Sequence, residues 1–336
     1  MLGVGENSMN QRANCGIAVG VGLLIFFVST AIAYDKTLVE RIDGSPIKLV
    51  VDRPEGVSNI PIVLFIDGSG CVSIERERFQ QYARLPGEFE QRVAKVFVDK
   101  SGVTAADNHS DCSKNYIEYE SVDQRVFDHL RAIQHLRKHA TWWNREILLF
   151  GWSDGGTIGA VVTAYVPEVK KAVLGGMGGG IPMKTQFEDY VMCTPDRTED
   201  RDACIMELRK MYAEIRENPS PSKTWFGEFN TYKAWATRLD AVEYNLIKDI
   251  DVSLLIVHGE LDRDNVPVQA TRELVRLLKE AGDVDFEYWE VPGMDHGTRS
   301  LGEERGNLVR IAMLNWLLDQ PVGIGGPPLF GESSDE

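Results

Sequence analysis

The chain has 336 residues, 43% of them hydrophobic, with 51 acidic side chains against 36 basic ones and a formal net charge of −15. Such an excess of negative charge speaks against nucleic acid or an anionic membrane surface as a partner, and its ordinary meaning is a well-solvated surface. About 300 residues remain once an N-terminal leader is set aside, enough to bury one large core.

The leader comes first in chain order. Between Arg12 and Asp35 there is no charged side chain, and Gly16 to Val28 is strongly apolar. Ala31-Ile32-Ala33 presents small residues at the two positions that a signal peptidase reads, which predicts a leader over 1–33 and cleavage before Tyr34. An uncleaved anchor is the alternative, since the apolar length is near the lower limit for a span. Arg12 on the cytoplasmic side gives one orientation under both readings. The rest of the chain is then periplasmic or secreted, and it meets the membrane only through an uncleaved N-terminal segment.

Next come two short strands, Thr37 to Ile42 and Pro46 to Val51, paired across Asp43-Gly44. Pro61 to Ile66 is a short buried strand that runs into Asp67-Gly68-Ser69-Gly70-Cys71. Further strands begin near residues 93, 146, 170, 252 and 284, with helices between them, for example Ser121 to Lys138. Eight strands in this alternation predict an α/β fold, a mostly parallel sheet with helices on both faces. The core then occupies 34–181 and 250–320, with a helical lid inserted at 182–249 between strands six and seven. That insertion holds a helical pattern at Arg201 to Arg216 and an aromatic stretch of Trp225, Phe226, Phe229, Tyr232 and Trp235. With Trp152 and Met177, some of these aromatics could form an apolar substrate pocket. Gly175-Gly176-Met177-Gly178-Gly179-Gly180 lacks the spacing of a dinucleotide-binding loop and reads as a hinge leading into the lid. The tail, 321–336, reads as loosely ordered.

Four cysteines follow the leader, an even number suited to an oxidising compartment. Cys71 and Cys112 sit in loops that open on one edge of the sheet and could bridge. Cys193 and Cys204 bracket a charged loop and could staple the lid. The sequence alone permits three pairings.

The chemistry centres on Gly151-Trp152-Ser153-Asp154-Gly155, which follows the apolar run Ile147-Leu148-Leu149-Phe150 and precedes a helical stretch of small residues. This strand, sharp turn and helix is what a nucleophile elbow requires, with Ser153 at its tip and glycines where side chains would collide. Val252 to His258 is a buried strand ending in a loop that holds Asp262 and Asp264. After the helix Val268 to Ala281 and another strand, His296 lies in the loop Pro292 to Gly297. Asp262 could merely cap the helix that follows, and His258 reads as a packed strand terminus. Taken together, serine, acid and histidine follow one another in the order Ser, Asp, His, each at the C-terminal end of a predicted strand, where reacting groups gather in open α/β sheets.

These motifs carry a resemblance. The chain looks like an α/β-hydrolase, close in its C-terminal third to the prolyl-oligopeptidase and dienelactone-hydrolase branch, through His258-Gly259-Glu260-Leu261-Asp262, Val266-Pro267, Ala281-Gly282 and Asp295-His296-Gly297. It extends from about Thr37 to Leu318, with the middle segment least alike. The family's acid usually falls three residues after the strand-end glycine, which selects Asp262. This chain has one extra residue before Val266-Pro267, so Asp264 stays open as the alternative. Many relatives have His-Gly where this chain has Asp67-Gly68. The resemblance implies a catalytic set of Ser153, Asp262 and His296, with an oxyanion hole made by the backbone N–H groups of Asp154 and Ser69, Gly70 being the alternative to Ser69. It implies hydrolysis of a small carboxylic ester or a short peptide-like amide, with neither cofactor nor metal. A secreted peptidase of the prolyl-oligopeptidase type and a non-catalytic binding protein on the same fold are the alternatives.

Overall fold

The computed structural model describes residues 33–76, 83–108, 111–227 and 230–319. The predicted leader up to residue 32, the lid aromatic Phe229 and the tail from residue 321 lie outside them.

Eight strands form one sheet: β1 (Ala33–Glu40), β2 (Pro46–Arg53), β3 (Ile60–Ile66), β4 (Ala94–Val98), β5 (Trp143–Trp152), β6 (Val169–Gly175), β7 (Ser253–Gly259) and β8 (Phe286–Val291). Their spatial order is β1-β2-β4-β3-β5-β6-β7-β8. β2 runs antiparallel to both neighbours, and β3 to β8 are parallel. The alternation of strand and helix in the sequence therefore gives the mostly parallel sheet it implied. β1 differs in detail from the predicted Thr37 to Ile42. It ends at Glu40 because the backbone closes a turn, with Arg41 N donating to Ser45 O and Gly44 N to Arg41 O. Ile42 is left 90% exposed on that turn.

Consecutive strand residues point to opposite faces, and both faces are covered. Five helices of twelve residues or more lie among the described residues: α1 (Val122–His139), α2 (Asp154–Tyr165), α3 (Arg201–Glu217), α4 (Val268–Ala281) and α5 (Glu303–Leu317). Ile62, Leu64, Leu149, Leu174 and Ile256 pack on one face with Ile133 of α1, Ile158 of α2 and Leu274 of α4. The alternate residues Val63, Phe65, Phe150, Val173 and Leu255 pack on the other with Met313 and Leu317 of α5. Each such side chain, buried from water, contributes roughly 1.5–3 kcal/mol. This double burial is why the strands read as unbroken apolar runs. α1 starts cleanly at Ser121, whose side chain accepts from Gln124 N, an N-cap that satisfies a free helix-end donor.

Between β6 and β7 the insertion has an apolar cluster of its own, built by Phe187, Leu208, Tyr212, Ile215, Tyr232 and Trp235. Trp225 and Trp235 each meet the Phe187 ring edge-on, at 5.1 and 5.4 Å. The glycine run at 175–180 is not the open hinge that its composition suggested. A Cβ on Gly175 would lie 2.1 Å from the Trp152 ring, and one on Gly180 would lie 2.2 Å from Leu274 N. The glycines allow the backbone to pack against β5 and α4, and the whole run is buried.

Both cysteine pairs are joined, Cys71 to Cys112 and Cys193 to Cys204. Disulfides belong to oxidising compartments, and among the described residues no helix is long and apolar enough to cross a membrane. The first bridge ties the loop after β3 to the segment ahead of α1 across a separation of 41 residues. Closing a loop of that size is worth about 4 kcal/mol in the chain-entropy account. The double variant Cys71→Ser/Cys112→Ser is expected to lose stability of that order in urea denaturation. A midpoint equal to that of the wild type would show that the loop is held by its other contacts alone.

Candidate active site

Ser153 stands between β5 and α2 with φ +58° and ψ −126°, a backbone conformation that a serine adopts only at a cost of about 1–3 kcal/mol. The surroundings enforce it. Ser153 N donates to Gly175 O at 2.7 Å, and Gly156 N donates back to Ser153 O at 2.8 Å. A Cβ on Gly151 would sit 2.2 Å from Gly155 O, and one on Gly155 would sit 2.1 Å from Ile66 O. Glycine alone fits at both positions, so the sequence spacing follows from the tightness of the turn.

His296 lies between Ser153 and Asp262. Its Nε2 is 2.8 Å from Ser153 Oγ, and its Nδ1 is 2.6 Å from Asp262 Oδ2. A carboxylate only accepts, so Nδ1 carries the proton and Nε2 is free to accept from the hydroxyl. The indole of Trp152 donates to the His296 carbonyl at 2.9 Å, so the residue before the serine also fixes the loop of the histidine. Asp262 is buried, with Val266 N donating to its Oδ1 at 3.3 Å. His258, fully buried at the end of β7, places its Nε2 3.1 Å from Asp262 Oδ2. Burial would push the Asp262 carboxyl up. The hydrogen bonds from His258 and His296 outweigh it and hold the group down at about 2. Asp264, the open alternative, turns outward. Its side chain is 62% exposed and pairs with Arg197 of the insertion.

Behind the serine lies a chain of buried charge. The Asp154 carboxylate receives Arg238 from the insertion and Arg125 from α1. Burial pushes this carboxyl up, but the two guanidinium groups prevail and hold it below its ordinary value. Arg125 also donates to the carbonyls of Asp67 and Gly68, the latter at 3.2 Å, and Lys100 binds Gly70 O at 2.7 Å and the Asp67 carboxylate at 2.5 Å. Cations therefore hold the loop after β3 by its carbonyl groups. Ser69, in that loop, lines the same cavity as Asp154 and Ser153. Among the described residues, neither the Ser69 nor the Asp154 amide donates to another backbone carbonyl.

Arg125, Arg238 and Lys100 were not singled out from the sequence. Arg125 carried a signal, because it falls on the apolar stripe of α1 with Val122, His129 and Ala132, where a charged residue needs a buried partner. Arg238 and Lys100 sit in irregular segments whose partners are distant in sequence.

A cavity of about 790 Å³ opens in front of Ser153 and His296. Phe187, Phe226, Trp235 and Met183 of the insertion make its apolar wall, together with Met177 and Trp152. Glu243 also lines it, and burial pushes that carboxyl up.

This sheet order, with Ser153 after β5, Asp262 after β7 and His296 after β8, is that of the α/β-hydrolase fold. Residues 203–320 match the prolyl oligopeptidase family, a span that includes Asp262 and His296 but not Ser153. That span is about a third of the chain, and it likens the C-terminal part to this family. No curated protein sequence matches it. Among solved structures it is similar to Est1E from Butyrivibrio proteoclasticus, at 15% identity and TM-score 0.56, covering 85% of this chain and 98% of that one. Est1E with ferulic acid bound is similar at 17% identity and TM-score 0.59, with 84% and 98% covered. An acylaminoacyl peptidase from Pyrococcus horikoshii matches at 13% identity and TM-score 0.56, covering 86% of this chain but 41% of that one. At these identities the likeness is one of fold.

Two measurements probe the electrostatics. The folded Asp262 carboxyl titrates near about 2, below its unfolded value of 3.8. Its contribution, about 2 kcal/mol, is therefore complete above the unfolded value and is lost as pH falls through the folded one. The stability gap between wild type and Asp262→Asn is expected to narrow by that amount between about pH 5 and about pH 2. A gap that stays constant would place the carboxylate in no special environment. Arg125→Met leaves two loop carbonyls without their donor and should cost about 3 kcal/mol in chemical denaturation. A variant as stable as the wild type would refute the clamp.

Proposed function

We propose that the protein hydrolyses small carboxylic esters through Ser153, His296 and Asp262, in the periplasm or outside the cell. The observation that carries this reading is the imidazole of His296, within hydrogen-bonding reach of both the strained serine and a buried carboxylate. In the mechanism, His296 Nε2 takes the proton of Ser153 as its oxygen attacks the carbonyl carbon. Asp262 fixes the tautomer and stabilises the imidazolium. The oxyanion is received by the amides of Asp154 and Ser69, each worth roughly 3 kcal/mol. Collapse of the tetrahedral adduct expels the alcohol, which takes its proton from His296. The acyl group stays on Ser153 until a water, activated by the same imidazole, releases it as the acid.

Esters are favoured over peptides by how the chain compares with its neighbours. It spans nearly the whole of Est1E and about two fifths of the acylaminoacyl peptidase. The aromatic wall contributed by the insertion suits an apolar acyl or alcohol group, and ferulic acid, bound by Est1E, is a ligand of that kind. The insertion would act as the lid that closes over it.

The purified protein is expected to react with a fluorophosphonate probe and to cleave short p-nitrophenyl esters faster than the matching anilides. Both activities should fall at least about ten-thousand-fold in Ser153→Ala and persist in Asp264→Ala. A wild type that neither labels nor cleaves would leave a non-catalytic binding protein as the better reading.

A further inference from the structure

Asp262 is shared between two histidines, and only one of them faces the serine. His258 is fully buried at the C-terminal end of β7. Its Nε2 lies 2.9 Å from the carbonyl oxygen of Val266 and 3.1 Å from Asp262 Oδ2, the same oxygen that binds His296. Its Nδ1 lies 2.8 Å from the hydroxyl of Thr271 on α4, which also reaches Met177 O. A carbonyl and an ionised carboxylate can only accept, so Nε2 must carry a proton whatever the charge of the ring. The hydroxyl on the other side has a single proton, which goes either to Met177 O or to Nδ1, and in both arrangements Nε2 keeps its own.

We propose that His258 is a positioning residue: through its Nε2–H it holds the Asp262 carboxylate toward His296 and draws charge from the oxygen that the two rings share. The proposal rests on the serine-hydrolase reading given above. The same N–H also ties down Val266, whose amide donates to the other oxygen of Asp262. The acid is thereby gripped at both oxygens, and the loop that carries it is closed onto β7. This explains why the carboxylate that turns inward is at 262, with the next acidic residue left in solvent.

The electrostatic surroundings of His258 are few. On β8 its register partner is Glu290, neutralised by Arg272 of α4 at 2.9 Å and by the Tyr288 hydroxyl at 2.7 Å. α4 adds the hydroxyl of Thr271, the glycine run after β6 adds a carbonyl, and the loops after β7 and β8 add Asp262 and His296. A donor on Oδ2 weakens that oxygen as an acceptor for His296, so the imidazolium of His296 is less favoured while His258 is present. Removing the donor should therefore raise the pH at which His296 titrates.

The test uses the full-length protein labelled with 15N-histidine, in wild type, His258→Phe and His258→Gln, with Ser153→Ala as the activity control. The phenyl ring keeps the volume and loses the donor, whereas the Gln side chain can return an N–H to the same place. In the wild type, the 15N shifts of His258 are expected to show the proton on Nε2. In His258→Phe the His296 midpoint should rise by about one pH unit, with the acid limb of kcat/KM moving alongside it and kcat falling about tenfold at little change in KM. His258→Gln should restore the wild-type midpoint. A merely structural role would lower activity at every pH and leave the midpoint where it was, and that result overturns the proposal. A bare Nε2 in the wild type overturns it as well, even should the Phe variant fail to fold. If the His296 midpoint responds to His258 while no Ser153-dependent cleavage is found, the hydrolase reading fails and the positioning role stands.

Discussion

At the elbow, the backbone of Gly155 comes so near the carbonyl groups of Ile66 and Asp67 that no side-chain carbon fits between them. This contact joins the ends of β3 and β5, adjacent strands that run in parallel and stop at the same level. Everything chemical in the molecule depends on it. It fixes the distance between the serine and the loop after β3, and it forces the helix to begin immediately beyond the serine. The helix N-terminus, with its partial positive charge, thus begins at Ser153 and Asp154, both of which line the cavity.

A turn this tight needs support, and much of that support is ionic. Asp154 lies beside the nucleophile and would burden the site with a bare negative charge if it stood alone. Two guanidinium groups surround it, one from α1 and one from the insertion. Arg125 also donates to the carbonyls of Asp67 and Gly68, which ties that loop to α1. The same logic governs Asp262. A buried carboxylate is costly unless its oxygens are filled, and His258, His296 and the Val266 amide fill those of Asp262.

Much of this was legible in the sequence, and the rest was not for definite reasons. Strands buried on both faces are written as unbroken apolar runs, so the eight strands and their order of appearance could be read from residues such as Ile62 to Ile66. The elbow was legible because steric exclusion acts within five residues. Ser153, Asp262 and His296 could be placed at strand ends by counting elements. Counting from the strand-end glycine favoured Asp262 but left Asp264 open, because the choice depends on which way a loop turns, and that is set by contacts with His258 and Arg197. The glycine run was misread as a hinge, since small residues serve close packing and free rotation equally well and only the neighbours distinguish them. The indole of Trp152 reaching the His296 carbonyl is a contact across more than a hundred residues, with no local signature.

Arg238 comes from the insertion, yet its guanidinium completes the charge balance next to Ser153. The segment that shapes the cavity is therefore not an independent accessory that evolution or an engineer could exchange freely. A transplanted cap without a cation at that place would leave the Asp154 carboxylate to Arg125 alone. The aromatic residues of such a cap could be altered independently, whereas the charge at position 238 is tied to Asp154 of the core.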